Sequence, residues 1–518
     1  MLLALLLFYP LSTLVEVLFT GSSSDVWEHL KEVLLVEYTI NSVILIVYVS
    51  IISILLGFIP AFYLSKYQFK GANFLSWALI LPLTIPSYIM AFAYAGFFDL
   101  TGLISKVCLL MGFEGFHMDV LNMSVLGLVL AFSLFPYLFI ISKVYLEGAS
   151  RRYIEAAETL GLSRFSIFRR VVLPLSRPAI IAGLSLVIME LLNDYGAVKY
   201  FGVPTFTTGI FKVWFAFGDH ESALKLASIL MLIALLVLLM ERWSRKKMKF
   251  ISSKIQNVHF DKRALEGNAK YYVPILCWLP FTLCFLIPLS QLIYWASQSF
   301  DYLNDDFFGL FLQSVGMALL SSLIILIIAV WVSFVVRVTK LAWIKKWTHI
   351  LTLGYAIPGA IIAVCVLIPF TSWSIHINEW FNLRWGLFLN QLFITLIFAY
   401  LLRFFAVGYN GIDSSYEKIS TSIDESAEIL GLSKLKILFR VHLANLKPAL
   451  LASFLMLFID ILKELPLTLI LRPFNFDTLA TKTYELAGDE MLEESAWPAL
   501  IIVLVGASIS YLLKRVIK

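Results

Sequence analysis

The chain has 518 residues, 60% of them hydrophobic and 14% charged, with a formal net charge of +5 and a mean hydropathy of +0.87. That balance excludes an ordinary soluble domain, and so modest a net charge gives no sign of nucleic-acid binding. Apolar runs of about 18 or more residues recur, each able to cross roughly 30 Å of hydrocarbon as a helix, and alternating strand patterns are absent; the fold class is therefore an all-α polytopic transmembrane helical bundle, not a β-barrel.

In chain order the predicted spans are 2–19, 39–64, 74–98, 121–146, 179–198 and 223–241, followed by 273–297, 311–336, 347–370, 387–408, 449–471 and 496–513. The first run has no basic leader and no small-residue cleavage site, and Pro10 and Glu16 interrupt it. It is predicted to be a retained span rather than a signal peptide. Pro60, Pro82, Pro86, Pro136, Pro358 and Pro369 fall inside spans, where neighbouring helices are expected to satisfy the carbonyls they free. The 12 spans divide into two sets of six. An even number gives both halves the same orientation, so they should be parallel repeats about an axis along the membrane normal. The predicted division is a first half over 1–241, a basic linker over 242–272 and a second half over 273–518.

The segments 65–73, 147–178, 242–272, 337–346, 409–448 and 514–518 hold 29 of the 40 Lys and Arg residues, and the opposite set of loops holds 7. Positive charge stays on the cytoplasmic side, which places both termini, the linker and the loops 147–178 and 409–448 in the cytoplasm of a multi-pass membrane protein. The linker charges are expected to hold it to anionic lipid headgroups of the bilayer. Cys108, Cys277, Cys284 and Cys365 have no metal or redox spacing, and the 7 histidines form no ligand pair.

Two of these cytoplasmic loops are copies of one another. Residues 155–180 and 425–450 share 13 identities in 26 positions, where ordinary composition gives about two. The first copy runs Glu155-Ala156-Ala157-Glu158, then Gly161-Leu162-Ser163, then Leu173-Pro174 and Pro178. The second runs Glu425-Ser426-Ala427-Glu428, then Gly431-Leu432-Ser433, then Leu443 and Pro448. Each reads as helix, glycine turn, helix, with the glycine in the left-handed position that ends the first helix and the serine capping the next. The small alanines would let a partner's backbone approach closely. A helical hairpin lying on the membrane explains each loop singly, but not why one detailed sequence recurs while the flanking spans diverge.

The Glu-Ala-Ala segment, the glycine four residues on and the apolar stretch ending in proline together resemble the signature of ABC-importer permeases of the type I fold. The resemblance implies that Glu155, Ala156, Ala157 and Gly161 form one surface for a separate ATPase subunit, and Glu425, Ala427 and Gly431 a second. It also implies two ATPase copies per chain, with ATP and Mg bound there and no cofactor bound by this chain, and a periplasmic substrate-binding protein on the other face. Ser426 departs from the pattern, as does Ala444-Asn445 where the first copy has Pro174-Leu175, so the two contacts need not be equivalent. No GxxxxGK[ST] phosphate loop is present.

Beyond each loop the fifth span carries ionisable groups at a matching spacing of 270 residues: Glu190, Asn193 and Asp194 in the first half, and Asp460, Lys463 and Glu464 in the second. At i, i+3 and i+4 each set is predicted to share one helical face. Charges at that depth face a cavity or the bundle interior. Two readings stay open: Glu190, Asp194, Asp460 and Glu464 line a translocation pathway for a cationic substrate, or Lys463 neutralises its neighbours and the group pins the halves together. The runs Asn193–Gly202 with Thr205–Thr208, and Lys463–Phe474 with Phe476–Thr481, resemble ferric-iron importer permeases, which implies iron(III) as cargo. Related permeases carry thiamine, phosphonate, polyamine or sulfate. An ion-coupled secondary transporter is the alternative of a different class, and no HExxH motif or catalytic dyad supports an intramembrane enzyme.

Overall fold

The computed structural model describes residues 9–10, 12–14, 16–17, 24–99, 102–112, 119–148, 157, 159–252, 262–339, 341–382 and 393–516. Eleven helices among them are long and apolar enough to span a membrane: α1 (Asp25–Lys66), α2 (Ser87–Leu110), α3 (Met123–Glu147), α4 (Phe168–Asn193), α5 (His220–Trp243), α6 (Ala269–Ala296), α7 (Asp306–Thr339), α8 (Gly359–Phe381), α9 (Ile394–Tyr416), α10 (Lys434–Leu462) and α11 (Leu492–Arg515). They correspond one for one to the predicted spans after the first. The predicted span 2–19 falls mostly outside the described residues, although Tyr9 stacks on Trp373 of α8 at 5.7 Å and the Leu14 carbonyl accepts from Ser228 of α5.

The halves interlock through their first spans. Tyr9 reaches into the second half, and α6, the first span of the second half, packs against α2 of the first. At that crossing Tyr94 donates to the Leu283 carbonyl, and Gly96 lies flat against Trp295. A Cβ at Gly96 would sit 1.9 Å from the Trp295 ring, and Trp295 is itself buried. Overpacking of this kind costs about 1–3 kcal/mol. Gly96→Ala should therefore lower the thermal unfolding midpoint in detergent; an unchanged midpoint would show that the crossing yields easily.

Two spans predicted as continuous are broken. Over 74–98 the chain forms a short helix (Ala72–Ala78), a 3₁₀ turn (Leu81–Thr84), and then starts afresh at Ser87. Over 347–370 it forms Ala342–Leu351, a 3₁₀ turn (Thr352–Ala356), and restarts at Gly359. The cause is local: Pro86 and Pro358 force Ile85 and Ile357 out of the helical region, and each proline then serves as the cap of the new helix. The result is a pair of helix N-termini inside the bundle.

The fifth spans are also longer on the repeat side than predicted. A π-helical turn, Phe168–Val172 in one half and Leu438–His442 in the other, joins the second helix of each repeated loop to its span. Such a turn interrupts the α-helical bonding pattern just before Pro174 and Pro178 or Pro448. The linker is not simply a basic tether either. The helix of α5 continues to Ser252, and further on β2 (Arg263–Ala264) pairs in parallel with β1 (Tyr67–Gln68). Lys262 donates to the Leu64 carbonyl at 2.6 Å and lies 3.6 Å from Glu147. That end of the linker is held by protein groups.

Candidate functional site: paired elbows and a central polar cavity

The repeated loops fold as twin elbows. In the second, helix Thr421–Ile429 ends in a Schellman motif: Leu432 N–H donates to the Ala427 carbonyl (3.1 Å) and Gly431 N–H to the Glu428 carbonyl (2.9 Å). The first shows the same closing bond, Leu162 N–H to the Ala157 carbonyl (3.2 Å). Gly161 and Gly431 both have φ of +77°, a conformation that costs other residues about 1–2 kcal/mol. Ser163 Oγ accepts from Ser166 N–H, as a cap should, whereas Ser433 makes no side-chain cap bond.

Ala157 and Ala427 do not stand out at the surface. Ala157 and Ala427 are each only 5% exposed, packed inward beneath the turn. What the elbows present instead is Leu160 at 80% exposure in the first, and Ile429 and Leu430 at 86% and 81% in the second, beside the exposed Glu425. Exposed apolar side chains at both glycine turns suit contact with another surface. Glu155, Ala156 and Glu158 lie outside the described residues.

Behind the second elbow Asp424 uses both carboxylate oxygens. Oδ2 accepts from Arg337 Nε at 2.7 Å, and Oδ1 accepts from His442 Nε2 at 2.9 Å. Burial pushes the Asp424 carboxyl up, but the Arg337 and His442 hydrogen bonds outweigh it and hold it below its ordinary value. A depressed carboxyl stabilises the fold above its unfolded value and loses that contribution only as pH falls through the lowered one, so this bond set is complete at neutral pH.

The four predicted pathway acids come together around one cavity of about 100 Å³ between the halves, with Tyr137, Tyr355 and Arg403 also in its wall. They do not share one helical face. The helices stop at Asn193 and Leu462, because Asp194 and Glu464 turn back onto the backbone. Asp194 Oδ1 accepts from Ala197 and Val198 N–H (3.1 and 3.2 Å), capping the short helix Gly196–Tyr200, while Ser87 Oγ donates to Oδ2. Glu464 Oε1 accepts from Leu467 N–H (3.1 Å) at the helix Pro466–Leu471. Its other oxygen lies 3.5 Å from Arg403 Nε, a pair almost wholly buried. Asp460 lies 3.0 Å from Lys463 Nζ. Glu190 accepts a bond from Tyr355 Oη across the interface of the halves (2.9 Å). Asn193 Oδ1 also bridges the halves, accepting from Gly359 N–H at the restart of α8 (2.7 Å) and from Arg403 Nη1 (2.9 Å).

Arg403 and Tyr355 receive no role in the sequence reading. Arg403 carried its own signal, a guanidinium in the middle of an apolar span; Tyr355, one of 22 tyrosines, carried none. A second, wider cavity of about 920 Å³ opens at the end of the bundle away from the elbows, with Asp99, Asp119, Lys199, Glu490 and Glu493 in its wall. Between the two cavities the ring of Tyr484 packs on Phe92 (6.2 Å) and Tyr195 (5.9 Å). Among the described residues no cluster of His, Cys, Asp and Glu is arranged to hold a metal ion. The arrangement suits passage, with a wide mouth, an aromatic layer and a small polar chamber walled by both halves.

A helical membrane bundle of two similar halves, with interrupted helices meeting at a polar chamber, defines a membrane permease. The chain belongs to the family of binding-protein-dependent transport system inner membrane components, which it matches over residues 53–250 and again over 340–518. It is 26% identical over 494 residues to an Fe(3+)-transport system permease protein of Haemophilus influenzae, covering 92% of this chain and 90% of that one. It is 27% identical over 245 residues to a sulfate transport system permease protein of Salmonella typhimurium, covering 45% and 85% respectively. A spermidine/putrescine transport system permease protein of Haemophilus influenzae is 29% identical over 154 residues, covering 30% and 54%.

Proposed function

We propose that this chain supplies both permease halves of an ATP-driven importer for iron(III), serving one separate ATPase subunit at each elbow. The observation that carries the ATPase reading is the pair of matching left-handed glycine turns, with Leu160 held out into the surroundings at the first and Ile429 and Leu430 at the second. ATP and Mg belong to those partner subunits. The distribution of basic residues supports elbows and termini on the cytoplasmic side, which puts the wide cavity on the outer side, where a binding protein would release its cargo. For the cargo, the support is the likeness to an Fe(3+) permease over both halves, whereas the sulfate and polyamine relatives match less than half of the chain.

Oxygen donors suit a hard trivalent ion. Glu190 is the acid best placed to meet it, since Asp194 and Glu464 are occupied with backbone N–H groups and Asp460 with Lys463. Weak contact is functional in a conduit, which must release what it binds. Reconstitution with the ATPase and binding protein should give ATP-dependent uptake of iron(III) at least about tenfold above sulfate, thiamine or spermidine, a difference of about 1.4 kcal/mol. Uptake of iron that needs no ATP, or equal uptake of sulfate, would defeat the reading.

A further inference from the structure

The second elbow is fastened to the membrane helices by a group whose Asp and His have no counterparts at the matching positions of the first. Arg337 is in the last turn of α7, and its fork grips two elements at once. Nε donates to Asp424 on the elbow helix Thr421–Ile429 (2.7 Å), Nη1 donates to the Tyr416 carbonyl at the end of α9 (2.9 Å), and Nη2 to the Ile419 and Ser420 carbonyls where the elbow helix begins (3.1 and 3.3 Å). The guanidinium also lies over the Tyr416 ring. From the other side His442, in the π-helical turn at the head of α10 and 1% exposed, donates to the second oxygen of Asp424. Tyr416 Oη is 3.3 Å from His442 Nδ1. Two membrane helices, α7 and α10, thus converge on one carboxylate of the elbow, with Tyr416 of α9 against both of their side chains. The residues 270 positions earlier, where the first elbow would need Asp and His, are Ile154 and Val172.

We propose that Arg337, Asp424 and His442 form the transmission joint of the second half: positioning residues through which displacement of the elbow helix moves α7 and α10 directly. A bidentate carboxylate between a planar guanidinium and an imidazole resists sliding in any direction, because its bonds weaken steeply with angle as well as distance. The side chains at the corresponding positions of the first half, Ile154 and Val172, carry no hydrogen-bonding group and cannot form the same set, Ile154 itself lying outside the described residues. The two ATPase contacts are accordingly unequal at these positions.

This inference rests on the ATPase reading, and the experiment separates the two. The full complex of chain, ATPase and binding protein is reconstituted with Asp424→Ile/His442→Val, which installs the residues of the first elbow. Asp424→Asn and Arg337→Lys serve as conservative versions that keep part of the bonding. The readout is the ratio of binding-protein-stimulated to unstimulated ATP hydrolysis per assembled complex. The double variant should lower that ratio at least fivefold, and the conservative variants should fall between it and wild type. A group that merely holds the fold would reduce the amount of complex and leave the ratio untouched; that outcome, or a wild-type ratio in the double variant, overturns the joint. A wild-type complex that never responds to binding protein would instead sink the transport reading, and the joint with it.

Discussion

Replacing Gly161 and Gly431 together by proline should leave the protein in the membrane and abolish stimulated ATP hydrolysis by the partner subunits. Both glycines sit at φ +77°, and proline is confined near −65°. The Gly431 N–H that closes its turn on the Glu428 carbonyl would also disappear, a loss of about 1 kcal/mol by itself. The turn would have to open, and Leu160, Ile429 and Leu430 would leave the positions in which they now stand exposed. The spans themselves keep their packing, so membrane insertion survives. Gly161→Ala with Gly431→Ala gives the graded comparison. A Cβ meets nothing within 4 Å at either site, so only the conformational cost of about 1–2 kcal/mol per turn remains, and partial stimulation should persist. Full stimulation in the proline double variant, measured against membrane-inserted protein, would remove the elbows from the coupling role.

Among the acids, Glu190→Gln and Glu464→Gln should fail in different ways. The amide oxygen at position 190 can still accept from Tyr355, so folding and assembly should change by less than about 1 kcal/mol, while iron uptake falls about tenfold or more. Glu464→Gln keeps an acceptor for Leu467 N–H but strips the counter-charge from Arg403, which is 4% exposed. Leaving a buried charge unpaired costs on the order of 3–5 kcal/mol. The amount of assembled transporter should therefore drop, with uptake per assembled complex nearly unchanged. Uptake and assembly measured side by side distinguish the two. Normal uptake in Glu190→Gln would take that residue off the route, and normal assembly in Glu464→Gln would show that the Arg403 pair is dispensable.

The difference between these carboxylates was not legible in the sequence. Their matched spacing of 270 residues showed that both sets matter, and a straight helix put each set on one face. Asp194 and Glu464 ended their helices instead, because a carboxylate can satisfy the N–H groups at the start of the next short helix. The prolines at 86 and 358 were visible, and membrane helices often absorb such residues. Here each follows an isoleucine driven to extended geometry, so the span restarts inside the membrane rather than bending.

By itself the sequence determined what depends on neighbours along the chain. Apolar runs set the spans, basic residues marked one set of loops, and Gly161 and Gly431 fixed two left-handed turns, because each of these is a property of a few consecutive residues. Only the tertiary structure decided which residues meet across the interface: Tyr355 with Glu190, Gly359 and Arg403 with Asn193, partners separated by 165, 166 and 210 positions. It also decided that Ala157 and Ala427 turn inward while Leu160, Ile429 and Leu430 stand out. Composition cannot assign a side chain to one face of a two-turn helix when neither periodicity nor charge distinguishes the faces, and long-range pairing follows from how the two halves interlock.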